Sequence, residues 1–130
     1  MSEPVRILIV EDSPAMRQLL TMAVKKRPSV EVVEAPDGLA ALKALASGRF
    51  DLLLVDLNMP VLDGMKLIKR VRESETNLPE GARPMRICVI TTESTQATED
   101  QARSLGADYF LRKPVNRRDV DKMLAEALPE

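Results

Sequence analysis

The sequence predicts an α/β fold in which five parallel strands form one sheet with helices on both faces. Short apolar runs recur five times, each followed by a segment of helical spacing, and such alternation is the mark of βα units. The runs are almost continuously apolar, as strands covered on both sides must be. The chain has 130 residues, enough to bury one core and too few for two. A single domain over residues 1–130 is therefore expected. The last helical segment runs to within two residues of the end, so no linker or effector domain is expected after it.

Val5–Val10 is the first apolar run. Pro14 can open a helix, in which Met16, Leu19, Leu20, Ala23 and Val24 share one face. Lys25, Lys26 and Arg27 suit the negative end of that helix, and Pro28 stops it. Val30–Ala35 is the second strand, and Glu31 and Glu34 suggest an edge. Asp37 can cap a helix over Gly38–Ser47, with Gly48 as its stop. Leu52–Asp56 is the third strand, apolar until it ends in a carboxylate. A turn containing Pro60 and Gly64 leads to a helix with Met65, Ile68 and Val71 inward. Ser74–Met85, with Asn, Gly and two Pro, is a longer connection than such loops usually need. Ile87–Thr91 is the fourth strand. Thr95–Leu105 offers only Ala97, Ala102 and Leu105 for burial, which makes a weakly anchored helix. Tyr109–Arg112 is the fifth strand, Lys113 and Pro114 follow it, and Asn116 caps a last helix with Val120, Met123, Leu124, Ala127 and Leu128 on one face.

Composition narrows the function. Lys+Arg 19 against Asp+Glu 20 leaves a net charge of -1, so no global field draws the chain to nucleic acid or an anionic membrane. No apolar stretch approaches the ~20 residues that span a bilayer, and Met1–Pro4 has neither the charged region nor the small-residue cleavage site of a signal peptide. The expected location is cytoplasmic. Cys88 has no partner for a disulfide and lies in an apolar run, so a reduced, buried thiol is expected.

In open parallel sheets, sites form beyond the carboxyl ends of the strands. The first strand is followed by Glu11 and Asp12, the third ends at Asp56, the fourth at Thr91 and Thr92, and the fifth leads to Lys113. Taken singly, Asp12 reads as a helix cap, Asp56 as a turn residue, Thr91 as a local backbone partner and Lys113 as a solvated surface lysine. Their placement at the ends of different strands argues for one site instead. Carboxylates at close range repel, and a small hard cation relieves them. Mg2+ binds few carboxylates and keeps several waters. Asp12 and Asp56 are expected as direct ligands, Glu11 directly or through water, with the Asn58 backbone carbonyl turning back to the same ion. A carboxylate nucleophile, a metal, a hydroxyl and a fixed ammonium are what phosphoryl transfer requires, because catalysis there is placement of positive partners around three oxygens. Asp56 would be the phosphoacceptor and become an aspartyl phosphate.

The segments I-L-I-V-E-D-S (7–13), L-L-V-D-L-N-M-P-V-L-D-G (53–64), V-I-T-T (89–92) and G-A-D-Y-F-L-R-K-P (106–114) resemble the response-regulator receiver signature, in its order and over essentially the whole chain. The chain is most similar to single-domain, CheY-like regulators, and that resemblance implies the flavodoxin-like strand order 2-1-3-4-5. It also implies roles. Glu11 and Asp12 match the acidic metal-binding pair, Asp56 the phosphoacceptor, Thr91 the switch hydroxyl and Lys113 the family lysine. Pro114 matches the proline of a cis peptide, and Phe110 the switch aromatic. Asn58 and Glu93 stand where the family tunes phosphoryl lifetime. Glu11 departs from the commoner Asp, Thr92 from a smaller residue, and Ser74–Met85 from a shorter loop.

The resemblance implies a histidine kinase or phosphotransfer protein as phosphoryl donor in a two-component phosphorelay. The chain has no His, so it cannot carry the phosphohistidine itself. Phosphorylation would draw in Thr91, free space for Phe110 and reposition the Thr95–Leu105 helix. The output face to a downstream protein would be that helix, the Tyr109–Arg112 strand and the last helix. The expected role is a stand-alone regulator of chemotaxis, motility or relay type, catalysing only its own phosphorylation and dephosphorylation. The alternative is a receiver-fold interaction module that works without phosphorylation. An FMN-binding flavodoxin would want Gly, Ser and Thr where Glu11 and Asp12 stand, and a haloacid-dehalogenase-like phosphatase an acid in place of Asn58.

Overall fold

The computed structural model describes residues 4–59, 62–93 and 95–128. Pro60, expected in the turn after the third strand, lies outside the described residues, as do residues 1–3 of the N-terminal segment. Ten elements alternate: β1 (Val5–Val10), α1 (Pro14–Lys25), β2 (Val30–Ala35), α2 (Gly38–Ala46), β3 (Leu52–Val55), α3 (Gly64–Ser74), β4 (Arg86–Thr91), α4 (Gln96–Leu105), β5 (Tyr109–Arg112) and α5 (Arg117–Ala127). The strands are all parallel and ordered β2-β1-β3-β4-β5. Expected and observed topology agree.

Each helix starts from a side-chain cap that uses an otherwise unpaired N–H of the first turn. Ser13, Asp37, Asp63, Thr95 and Asn116 accept from the amides of Met16, Ala40, Lys66, Thr98 and Asp119. These caps follow the carboxyl ends of the strands, so they stiffen the loops that carry the polar residues. The strand side chains divide between two cores. Leu8, Val10, Leu53, Val55, Ile87 and Val89 face α2, α3 and α4, whereas Ile7, Ile9, Leu52, Leu54, Cys88 and Ile90 face α1 and α5. Burial raises the Cys88 thiol far above its ordinary range, against a weaker pull from Arg103, and keeps it unreactive.

The structure corrects several local expectations. Leu67, absent from the expected inward face, is fully buried beside Ile68 in α3, while Met65 is half-buried against the same core. Ala97 is exposed, so Ala102 is the one buried side chain of α4. The helix ends at Ala46 with Ser47 as its cap in an ordinary right-handed conformation, so Gly48 is no left-handed stop. A Cβ at Gly48 would lie 2.6 Å from the Arg6 guanidinium, the movable end of a long side chain. The third strand closes at Val55, one residue early, which leaves Asp56 in the loop.

The long Ser74–Met85 connection is clamped across its base. The Glu75 carboxylate accepts from the Met85 amide at 2.7 Å and from Arg72 at 2.6 Å. Arg72 also donates to the Met85 carbonyl at 2.7 Å, to the Gly106 carbonyl at 2.7 Å and to Asp108 at 3.1 Å. One guanidinium therefore joins α3, the start of β4 and the turn between α4 and β5. All of this lies at the end of the sheet opposite the polar loops.

Candidate functional site

Strand register delivers the polar residues to one rim. Val10 pairs with Val55, so Glu11 and Asp56 leave the sheet side by side, and the Asp56 amide donates to the Val10 carbonyl at 3.1 Å. Val55 pairs with Val89, which carries Thr91 to the same edge. Thr91 pairs with Arg112, and the Lys113 amide closes the ladder by donating to the Thr91 carbonyl at 2.9 Å. The Lys113–Pro114 peptide is cis, as expected. The Lys113 Nζ turns inward, donating to Asp56 Oδ2 at 2.9 Å and lying 2.7 Å from Glu11 Oε1.

Glu11, Asp56 and Thr91 are 1%, 5% and 0% exposed, a depth at which charge must be compensated. Asp56 is engaged at both oxygens, since the Asn58 amide donates to its Oδ1 at 3.0 Å. Glu11 is not. Its Oε2 accepts from the Ser13 amide at 3.1 Å, but its buried Oε1 takes no hydrogen bond, and the Lys113 ammonium beside it lies outside hydrogen-bond geometry. Among the described residues, Glu11, Asp12 and Asp56 offer ligand oxygens that all lie within 4.8 Å of one another. Three carboxylates against one ammonium leave two surplus negative charges, the charge balance that suits a divalent cation. The donor set, three clustered carboxylates, fits a hard oxygen-seeking ion.

The electrostatics agree. Burial raises the Glu11 carboxyl above its ordinary value and outweighs the Lys113 ammonium and the Ser13 N–H, while Asp56 and Asp12 push the same way. Burial works against the Lys113 ammonium, but Glu11 and Asp56 more than offset it and raise its pKa. A carboxyl raised in the folded state costs stability above its folded pKa, and that cost vanishes below the unfolded value near 4.5. Glu11→Gln should therefore melt above the wild type at pH 7 in EDTA. The gap should close as the pH is lowered toward 4.5, which thermal denaturation across that range checks.

Other expected residues are present but not yet joined to Asp56. Thr91 Oγ1 accepts from the Glu93 amide at 3.2 Å and makes no hydrogen bond to Asp56. Asp12, Asn58 and Glu93 are exposed at the rim. Phe110 pairs with Val89 and is half-buried against the core shared with α2, α3 and α4. Two further residues shape the site: Gly64, read from the sequence only as part of a turn, and Arg17, which escaped that reading. Gly64 donates its amide to the Leu57 carbonyl at 3.1 Å, and a Cβ there would stand 2.6 Å from the Asp56 carbonyl oxygen. Arg17 donates to the main-chain oxygen of Glu11 at 2.8 Å. Its position one turn beyond the acidic pair was the available signal, but arginine on an α1 face reads as ordinary solvation.

Comparison with known proteins points the same way. Residues 7–125 match the family model of the response regulator receiver domain. Protein-glutamate methylesterase/protein-glutamine glutaminase 2 of Koribacter versatilis is 34% identical over 114 residues, 85% of this chain and 29% of that protein. The protein of the same name from Anaeromyxobacter dehalogenans is 37% identical over 118 residues, 90% of this chain and 32% of that protein. The chain thus spans about a third of the length of these curated relatives. Among solved structures, the chemotaxis response regulator CheY4 of Vibrio cholerae is 31% identical with a TM-score of 0.82, over 96% of this chain and 99% of that one. Among the described residues, no helix is long and apolar enough to cross a membrane. With the sheet order, the acidic rim and the family match in agreement, the chain belongs to the response-regulator receiver domains of two-component signalling.

Proposed function

We propose that this receiver accepts a phosphoryl group on Asp56 from a histidine kinase or phosphotransfer protein, and that acceptance alters a protein-binding face formed by α4, β5 and α5. The carrying observation is the contact between the Lys113 ammonium and the buried Asp56 carboxylate at 2.9 Å, within a group of three carboxylates that this one ammonium cannot balance. Glu11, Asp12 and Asp56, with the Asn58 carbonyl, are the residues that would hold Mg2+, which when bound neutralises the acidic surplus and the phosphoryl oxygens. The chain's own groups do the rest. The Asn58 amide and Lys113 fix the plane of the Asp56 carboxylate, so one of its oxygens can attack phosphorus in line. An O–P bond forms as the bond from phosphorus to the donor breaks. Lys113 then pairs with a phosphoryl oxygen, and Thr91, released from its turn, donates its hydroxyl to another.

Movement of Thr91 opens space beside Phe110, and α4 is well suited to respond because only Ala102 of its side chains is fully buried. Exposed Asn58 and Glu93 flank the approach of hydrolytic water and would set the lifetime of the phosphoryl group. The methylesterase relatives and the Vibrio chemotaxis protein favour a chemotaxis-type pathway, with the cytoplasm as the place where a kinase donor would act. The direct test is incubation with acetyl phosphate followed by intact-mass measurement. A gain of one phosphoryl group in Mg2+ and none in EDTA is expected. No gain in either, under conditions that label another receiver, would remove the proposal.

A further inference from the structure

Arg17 lies in the second turn of α1 and faces none of the reacting groups, yet three contacts tie it to the acidic loop. Its Nη1 donates to the main-chain oxygen of Glu11 at 2.8 Å and to that of Asp12 at 3.3 Å. Its Nε lies 3.4 Å from Oε1 of Glu34, close to the end of the edge strand β2. The Arg17 side chain is only 21% exposed, so the arrangement is packed rather than draped over the surface.

We infer that Arg17 is a positioning residue for the cation site, a role that rests on the reading of Glu11, Asp12 and Asp56 given above. The two carbonyls it binds belong to the two residues whose side chains supply the acidic pair. Holding a carbonyl fixes its peptide plane and so constrains the Cα–Cβ direction of the residues it links. Glu11 has a second restraint, since its amide donates to the Ala35 carbonyl at 3.0 Å and its Oε2 accepts from Ser13 at 3.1 Å. Asp12, exposed, depends far more on its main chain. Without a cation, repulsion within the carboxylate group favours a loop that swings Asp12 outward. Arg17 opposes that swing from the far side, anchored by Glu34. A planar guanidinium can meet a carboxylate and two carbonyls at once, which an ammonium cannot do as well. Groups that orient ligands in this way typically change metal affinity when removed, more than they change the fold.

The experiment is Mg2+ titration by calorimetry on the full chain, paired with thermal melting in EDTA. Arg17→Gln should weaken Mg2+ binding about 10-fold or more. Arg17→Lys should fall between it and the wild type, and Glu34→Gln should weaken binding in the same direction by less. The melting temperature in EDTA should fall little, because the loosened loop relieves carboxylate repulsion. Wild-type affinity in Arg17→Gln, or a large loss of melting temperature with Mg2+ affinity kept, would overturn the inference and make Arg17 a structural tie. If Arg17→Gln does not fold, Arg17→Lys and Glu34→Gln decide, and unchanged affinity in both overturns it. A wild type that binds no Mg2+ is a separate result, one that removes the cation site itself.

Discussion

Asp56→Asn should gain no phosphoryl group from acetyl phosphate and Mg2+ while remaining folded. The amide has the size and planarity of the carboxylate, and its oxygen can still accept a hydrogen bond from Asn58 or Lys113, as Asp56 does at 3.0 and 2.9 Å. What it lacks is an anionic oxygen to attack phosphorus, and no neighbour can substitute at that depth. Glu11 comes nearest, but it leaves a different strand and is raised toward its protonated form by burial. Asp63→Asn is the control. Asp63 caps α3 by accepting from the Lys66 amide at 2.9 Å, a task an asparagine performs equally well, so uptake should persist. Intact mass after a fixed incubation reads both variants. Uptake by Asp56→Asn at the wild-type rate would mean that another residue is the acceptor.

Gly64→Val should damage stability and chemistry together. A Cβ at this position would stand 2.6 Å from the Asp56 carbonyl oxygen and 2.8 Å from the Leu57 Cα, and both are main-chain atoms that cannot rotate away. The loop between β3 and α3 must therefore shift, and it carries Asp56. Overpacking of this kind costs about 3 kcal/mol, measurable by urea denaturation. A displacement of Asp56 near 1 Å would slow phosphoryl uptake roughly 100-fold. Gly81→Ala separates the two effects. Gly81 has φ +83° but nothing within 4 Å of its would-be Cβ, so the alanine variant should lose about 1 kcal/mol and keep its uptake rate. Equal uptake in Gly64→Val and wild type would show that the loop tolerates the shift.

The fold was legible because its strands are short, apolar and buried on both faces, and because Pro14, Asp37 and Asn116 announce helix starts. The site was legible for the same reason. In a parallel sheet every strand ends on one rim, so Glu11, Asp56, Thr91 and Lys113 could be placed together from sequence position alone. Contacts made by long side chains to main-chain oxygens leave no such trace. Arg17 and Arg72 both act this way, and a carbonyl acceptor has no residue identity to read. Leu67 was left out of the inward face of α3, although it is fully buried there, because a helical face drawn from period alone is narrow at its margin. Gly48 was given a backbone role, yet it has no positive φ.

The Arg72 clamp bears on how a signal could leave the protein. It grips the Gly106 carbonyl at the trailing end of α4, while the leading turn, from Thr95 to Thr98, buries no side chain. A rod fastened at one end does not slide; it swings. Any displacement born near Thr91 would thus grow with distance from Gly106 and be greatest where α4 begins. A partner that feels the tilt of the first turn would register a change that one gripping the far end would miss.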